Sequence, residues 1–338
     1  MKKEITWINT ARTLCIIAIY LRHSEIYYEM TDTTSLFTSL FTPFRVVIFF
    51  FISGYLFFGK QFSDTQGHNT VQQRLSAYTA SLRHLMFRLA IPTILFATLI
   101  YVPKIIFHGD SFSTKQYLYD VWGGTSYWFT SALTVAQVIL LTALCIKKTD
   151  IRWYLLLSAI LMGLGIWFGR HFPTPFPWYW QSAFVATFFL TLGGCYRQYE
   201  TKVDRYMKTT VIIILSLIYI MIATYYKDGF NAMIAPVQLD GVGFVTIILG
   251  IIFIIGCSKW LPRLKGLDYI GKHSITFYFL SGVMPALFAT IAHKLSPTII
   301  PYIYSIVAVL SLLGASIATY VIGRYLPFLL DLRRLKRD

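Results

Sequence analysis

Ten apolar runs of near membrane-spanning length follow one another along the chain. They lie near residues 7–27, 37–58, 85–107, 127–146, 151–168, 179–197, 210–226, 243–258, 273–292 and 302–326. About 20 apolar residues carry a helix across about 30 Å of hydrocarbon. Composition agrees: of 338 residues, 56% are apolar and 13% charged. An ordinary soluble domain has about 45–50% and about 25%. The mean hydropathy is +0.59. These values exclude a disordered chain, a small disulfide scaffold and a normal soluble enzyme. The sequence predicts an all-α, polytopic integral membrane protein with about ten transmembrane helices. The longest loops, about 59–83 and 108–126, are too small to fold alone, so residues 1–338 are read as a single domain. Several runs are short, and Pro92, Pro103 and Pro285 are candidate kinks.

Loop charge sets the expected orientation. One set of alternate loops carries 20 Lys and Arg residues, among them Lys60, Arg74, Arg83, Arg152, Arg197, Lys202, Lys259 and Lys272. The opposite loops carry four: Lys115, Arg170, Lys227 and Lys294. Under the positive-inside rule the rich set is cytoplasmic, and both termini with it. The same rule accounts for the net charge of +15, so nucleic acid is not an expected partner. The lipid bilayer is. The first run contains Arg12, Arg22 and His23 and has no small-residue cleavage site, so it reads as a span rather than a cleaved leader. Cys15, Cys145, Cys195 and Cys257 lack metal-ligand spacing and read as small apolar residues. No metal site is expected.

Six basic residues fall inside or at the rims of apolar runs: Arg12, Arg22, Arg45, Arg88, Lys104 and Arg324. A charge at bilayer depth costs about 2.5–3.5 kcal/mol or more. Lys104 and Arg324 are placed to snorkel. Arg12 and His23 are eleven residues apart, which at 3.6 residues per turn is three turns. They share a face, about 16 Å apart in depth at 1.5 Å per residue. The face offers a cation near the cytoplasmic rim and, in the outer half, an imidazole able to act as a general base. The second run holds the small pair Ser53-Gly54, where a neighbour can approach closely. His84 and Arg88 are four residues apart and share a face, with Arg83 beside them. A basic group at a cytoplasmic helix end suits phosphate. Glu25, Tyr27, Tyr28 and Asp32, near the outer end of the first helix, read as a solvated rim more than as an acceptor entrance.

Several motifs, in order, resemble those of the transmembrane acyltransferase-3 family. They are the Arg12 and His23 pair, the run Phe50-Phe51-Ile52-Ser53-Gly54-Tyr55, Arg88 ahead of Pro92, Tyr127-Trp128-Phe129, Leu192-Gly193, and Ile270-Gly271-Lys272-His273-Ser274-Ile275-Thr276-Phe277-Tyr278. The opening Trp7-Ile8-Asn9 is most similar to the fucose 4-O-acetylase-like subgroup. The resemblance implies a membrane O-acyltransferase that takes an acyl group, by default acetyl, from acyl-CoA (acetyl-CoA) as donor substrate, with no bound cofactor. The implied acceptor is a carbohydrate hydroxyl on a cell-surface or lipid-linked glycan. It implies a multi-pass protein of the cell membrane, the bacterial inner or plasma membrane.

The resemblance assigns His23 and Arg12 as catalytic, and Arg88 or Arg83 as a contact to CoA phosphates; His84, on the face of Arg88, is expected to assist. Asn9, Ser53 and Arg45 complete the expected substrate-binding set. Four positions depart from the family pattern: Asn9 replaces Asp, Thr13 replaces Gly, Arg45 replaces His and Ser281 replaces His. Intramembrane Arg and His also mark transport pathways. A glycan or lipid transporter, or an inactive family member acting as a scaffold, is therefore the alternative reading.

Overall fold

The computed structural model describes residues 5–28, 36–64, 70–108, 112–146, 150–225, 239–261, 265–295 and 303–331. Among them there is helix and no strand. In chain order the helices are α1 (Thr6–Tyr27), α2 (Leu36–Phe41), α3 (Val47–Asp64), α4 (Val71–Leu85), α5 (Ile91–His108), α6 (Thr114–Tyr117), α7 (Trp128–Ile146), α8 (Ile151–His171) and α9 (Trp180–Tyr206). There follow α10 (Thr209–Tyr225), α11 (Gly241–Trp260), α12 (Lys265–Lys272), α13 (Ser274–Leu280), α14 (Val283–Leu295) and α15 (Ile303–Tyr325).

Each apolar run maps onto helix, with breaks that have local causes. The run at 37–58 is not one helix. Pro43 lacks an N–H and cannot continue α2, so residues 42–46 form a turn before α3. Pro92 deprives the Arg88 carbonyl of its helical donor. The preceding residues Met86–Ala90 form a π turn in which Ile91 N–H bonds to Met86 O. Pro285 likewise follows the break between α13 and α14, which bend by 46°. The backbone of α5 passes through Pro103 without a break. Upstream, α4 begins well before the apolar run, fixed by a capping box between Thr70 and Gln73.

Among the described residues five stretches are long and apolar enough to cross a membrane: Val71–Tyr101, Trp128–Ile146, Ile151–His171, Gly241–Trp260 and Ile303–Tyr325. Two helix pairs, Pro177–Tyr206 with Thr209–Tyr225 and Ser274–Leu280 with Val283–Leu295, qualify when each pair is taken together, for up to seven. The chain is thus a helical, multi-pass membrane protein.

The helices group into two compact units. The first comprises residues 1–48, 207–230 and 241–326. Here α1 packs against α11, α12, α14 and α15. Gly271 sets the α1–α12 approach: a Cβ there would strike the Asn9 carbonyl. Phe44 fits edge-on against Tyr219 and Phe253, at 5.7 and 6.2 Å between ring centroids. The Tyr219 hydroxyl donates to Leu40 O.

The second unit comprises residues 49–206, 231–240 and 327–338. In it α9 packs along α8 and α7. A stripe of small residues brings α3 onto α9. A Cβ at Gly54 would run into the Leu190 backbone, and one at Gly193 into Phe51 O. The motif glycines are therefore contact points between backbones. Phe50 packs on Phe129 at 4.8 Å, next to this seam.

Replacing Gly54 or Gly193 by alanine should lower the thermal midpoint of the purified protein, because overpacking costs about 1–3 kcal/mol. Gly163, with nothing within 4 Å of an added Cβ, provides the control, and Gly163→Ala should leave the midpoint unchanged or raised. Thermal unfolding in detergent measures all three; equal midpoints would contradict the close α3–α9 approach.

Candidate active site

The longest-range sequence expectation depends on one unbroken helix, and α1 is one. Its 22 residues carry Asn9, Arg12 and His23 together. His23 and Arg12 are both half-buried. The His23 ring stacks against Tyr27, with centroids 6.1 Å apart and planes at 20°. Arg22 and Arg45 both act on His23 electrostatically.

Near His23 the solvated-rim expectation fails for Glu25 and Tyr28. Glu25 is fully buried: Thr38 Oγ1 donates to its Oε1 at 2.8 Å, and Arg22 Nη1 lies 3.4 Å from its Oε2. A carboxylate with a guanidinium and a hydroxyl beside it tolerates burial that a lone one would not. Tyr28 is also fully buried, stacked on His293 at 4.7 Å. Tyr27 alone of the described three is exposed, and Asp32 lies outside the described residues. Arg45 sits on the 42–46 turn, half-buried, and donates to Thr42 Oγ1 at 2.9 Å.

At the other end of α1, Asn9 is buried and donates from Nδ2 to Asp268 Oδ1 at 2.9 Å. Asp268 Oδ2 is 2.9 Å from Lys272 Nζ. Thr13 Oγ1 bonds both Asn9 O and Leu267 O, at 2.9 and 2.8 Å. Two of the departures from the family pattern thus join α1 to α12. The carboxylate absent at position 9 is present at Asp268, on a helix 259 residues later. Further out, Tyr20 donates to Phe277 O at 2.9 Å and ties α1 to α13. Ser281, the fourth departure, is buried and donates to Tyr278 O at 2.8 Å, which caps α13.

Asp268→Ala should loosen α1 from α12 and lower stability by about 1–3 kcal/mol, since the buried bond from Asn9 to Asp268 is lost. Asp268→Asn, which keeps an acceptor oxygen, should recover most of the loss. Paired thermal midpoints check this, and identical midpoints for Asp268→Ala and the parent protein would contradict it.

The remaining site residues belong to the second unit. His84 and Arg88 do share a face: Arg88 Nη1 is 3.4 Å from His84 Nε2. Arg83 and Arg88 are exposed, Arg83 lying over the Phe87 ring at 5.6 Å, and Arg88 is carried by the π turn ahead of Pro92. Two exposed guanidiniums beside an imidazole form a donor-rich surface suited to phosphate. Ser53 is half-buried in α3, next to the Gly54 contact. Arg324 is exposed and donates to the Tyr320 hydroxyl at 3.3 Å; the Lys104 side chain lies outside the described residues. Among the described residues no three His, Cys, Asp or Glu side chains are grouped to hold a metal ion.

Glu25, Arg22 as its partner, and Asp268 are the polar groups that sequence reasoning did not place in these surroundings. Only the i,i+3 spacing of Arg22 and Glu25 and the i,i+4 spacing of Asp268 and Lys272 signalled them.

Comparison with known proteins gives one family. The acyltransferase domain model of the acyltransferase-3 family matches residues 5–322. No curated protein and no solved structure matches. The match begins at the residue before α1 and runs into the last turns of α15, so it takes in most of both units and every candidate residue. The chain belongs to the acyltransferase-3 family of membrane acyltransferases.

Proposed function

We propose that this acyltransferase is an O-acyltransferase that moves an acetyl group from cytoplasmic acyl-CoA to a hydroxyl of a cell-surface or lipid-linked glycan. The observation that carries the reading is His23: a half-buried imidazole three turns from Arg12 on one helix, with no hydrogen bond to any described residue. Its ring nitrogen takes the proton of the acceptor hydroxyl as that oxygen attacks the thioester carbonyl. The new C–O bond forms, the C–S bond breaks, and the proton leaves with the thiolate as free CoA thiol. Arg12 holds the donor through its carbonyl or phosphopantetheine arm. Arg88, with Arg83 and His84, takes the CoA phosphates. Asn9 fixes the cytoplasmic end of α1, and Ser53 and Arg45 contact substrate.

The protein sits in the cell membrane as one domain over 1–338, with ten crossings and both termini in the cytoplasm. Acyl-CoA is a cytoplasmic anion, and exported or lipid-linked glycans present their hydroxyls at the outer face, so the orientation suits the chemistry. In a cysteine-free background, Ser113→Cys and Thr174→Cys should react with an impermeant thiol reagent added outside intact cells. Gln72→Cys and Lys202→Cys should react only after the membrane is opened. The reverse pattern would contradict the orientation.

The activity is tested with purified protein, acetyl-CoA and extracted glycan. Acceptor-dependent release of CoA thiol is the expected result. A transporter or an inactive scaffold would bind ligand and release none.

A further inference from the structure

Two connecting segments of the second unit are locked to each other at one end of its helices. Residues 118–126, which open with a π turn at Leu118–Trp122, lead toward α7, and residues 172–181 run from α8 into α9. Four hydrogen bonds join them. Trp178 N–H donates to Gly123 O at 2.6 Å, and its indole Nε1 donates to Trp122 O at 3.0 Å. The hydroxyls of Tyr119 and Tyr179 donate to Pro175 O at 3.2 Å and to Thr125 O at 3.4 Å. The backbone is strained at this junction. Trp178 and Tyr179 both lie in the left-handed region, at φ 58° and 52°, which bulky side chains seldom adopt. Gly124, at φ 68°, makes the room: a Cβ there would come to 3.3 Å from the Trp178 ring. Strain of this kind persists only where the surroundings hold it, and it gathers at functional sites.

The interlock fixes an aromatic surface. Trp122 is 57% exposed and Tyr119 40%, and Trp178 beside them is half-buried. Asp120 lies in the same turn, half-buried, its Oδ1 receiving Thr125 Oγ1 at 3.2 Å. The start of α7 and the end of α8 lie at the same end of two consecutive membrane-length helices, opposite Arg152 at the start of α8. In the proposed orientation that end is the outer one, where the acceptor glycan is found. Membrane proteins also set Trp and Tyr at the bilayer interface, with the polar edge of the ring turned to headgroups and water. The arrangement here differs. The Trp178 indole N–H is taken up by the Trp122 carbonyl, and the surface stands on turns between helices with a carboxylate in it. An anchor in lipid needs neither a fixed ring nor a strained backbone. A sugar fits both features: the C–H bonds on a pyranose face carry partial positive charge and pack on the negative face of an aromatic ring, and its hydroxyls donate to a carboxylate.

We propose that Trp122, with Tyr119, Trp178 and Asp120, forms a subsite that stacks one pyranose ring of the acceptor, a ring whose substituents are equatorial and whose face is therefore flat and lined with C–H bonds. This deepens the acyltransferase reading and rests on it for the role of the bound sugar.

The test measures equilibrium binding, which needs no turnover, to the protein in lipid nanodiscs. The probe is cellopentaose, whose β-linked glucose rings present such faces, and polyethylene glycol of equal length is the control. The wild type should bind the sugar and not the control. Trp122 suits substitution, because its ring is exposed and the bond it gives to the interlock comes from its main-chain carbonyl. Trp122→Ala should weaken binding about 3- to 30-fold. Trp122→Leu, apolar but without a π face, should weaken it as much, and Trp122→Tyr should keep most of it. A wild type that does not bind cellopentaose overturns the proposal, and so does unchanged binding in Trp122→Ala. Trp122→Leu binding as the wild type does, the behaviour of a bilayer anchor or a plain apolar contact, also overturns it. If Trp122→Ala does not fold, the difference between Trp122→Leu and Trp122→Tyr decides. The subsite and the acyltransferase reading fail separately. In the CoA thiol assay with extracted glycan, Trp122→Ala should raise the KM for glycan and leave that for acetyl-CoA as it was; turnover with both KM values unchanged overturns the subsite alone. Ring-dependent sugar binding without any release of CoA thiol overturns the acyltransferase reading alone.

Discussion

Replacing His23 by alanine should reduce acyl transfer by about 10²–10⁴-fold, the range a positioned general base contributes. The protein should still insert and fold. The ring touches Tyr27 by stacking and has no hydrogen bond to a described residue, so its loss removes little that holds α1 in place. The packing of α1 rests on other groups: Tyr20 to Phe277, Thr13 to Leu267, and Asn9 to Asp268. His23→Gln, similar in polarity but unable to accept a proton at neutral pH, should be as inactive as His23→Ala. Initial rates on protein of verified monodispersity measure the effect. Wild-type turnover in either variant would remove His23 from the chemistry.

Arg88→Ala has the second-largest expected effect, and it should fall on one substrate alone. A charge-assisted hydrogen bond contributes about 1.5–3 kcal/mol, so the KM for acyl-CoA should rise about 10- to 100-fold. The KM for the glycan should stay nearly unchanged. Arg88→Lys should recover part of the loss, because a point charge lacks the bidentate fork. An acetyl thioester of pantetheine, which lacks the nucleotide phosphates, should be used equally by both proteins. The exposed guanidinium beside His84 makes this clean, since little packing is lost with it. If Arg88 serves only to orient the chain in the membrane, Arg88→Ala will change expression and leave both KM values of the inserted protein as they were.

The parts of this fold that were legible in the sequence are those set by short-range rules. The shared face of Arg12 and His23 followed from helical arithmetic and needed α1 to be unbroken, which it is. The pairing of His84 with Arg88 followed from the i,i+4 spacing. Pro92 and Pro285 announced the π turn and the α13–α14 bend, because a missing N–H acts on the residue four positions back. Pro43 had the same signal, but it lies within a strongly apolar run, and hydropathy alone does not separate one helix from a short helix, a turn and a second helix.

What sequence could not supply is long-range pairing. Asp268 meets Asn9 across 259 residues, and nothing local to either marks the other. Glu25 read as a rim residue because carboxylates at helix ends usually meet water; its burial depends on Thr38 beyond the following segment. Ser53-Gly54 was legible as a small-residue seam, but backbone against backbone at Gly54, Gly193 and Gly271 is a property of the packed helices.

The most direct test of the central claim is vectorial transfer in sealed proteoliposomes of known orientation. Acetyl-CoA labelled in the acetyl group is enclosed on the side of the termini, and acceptor glycan is supplied on the other. Label should appear on the glycan as an ester, with one free CoA thiol formed for each acetyl moved. Intact acetyl-CoA on the first side, with no more label on the glycan than in protein-free liposomes, would contradict the account.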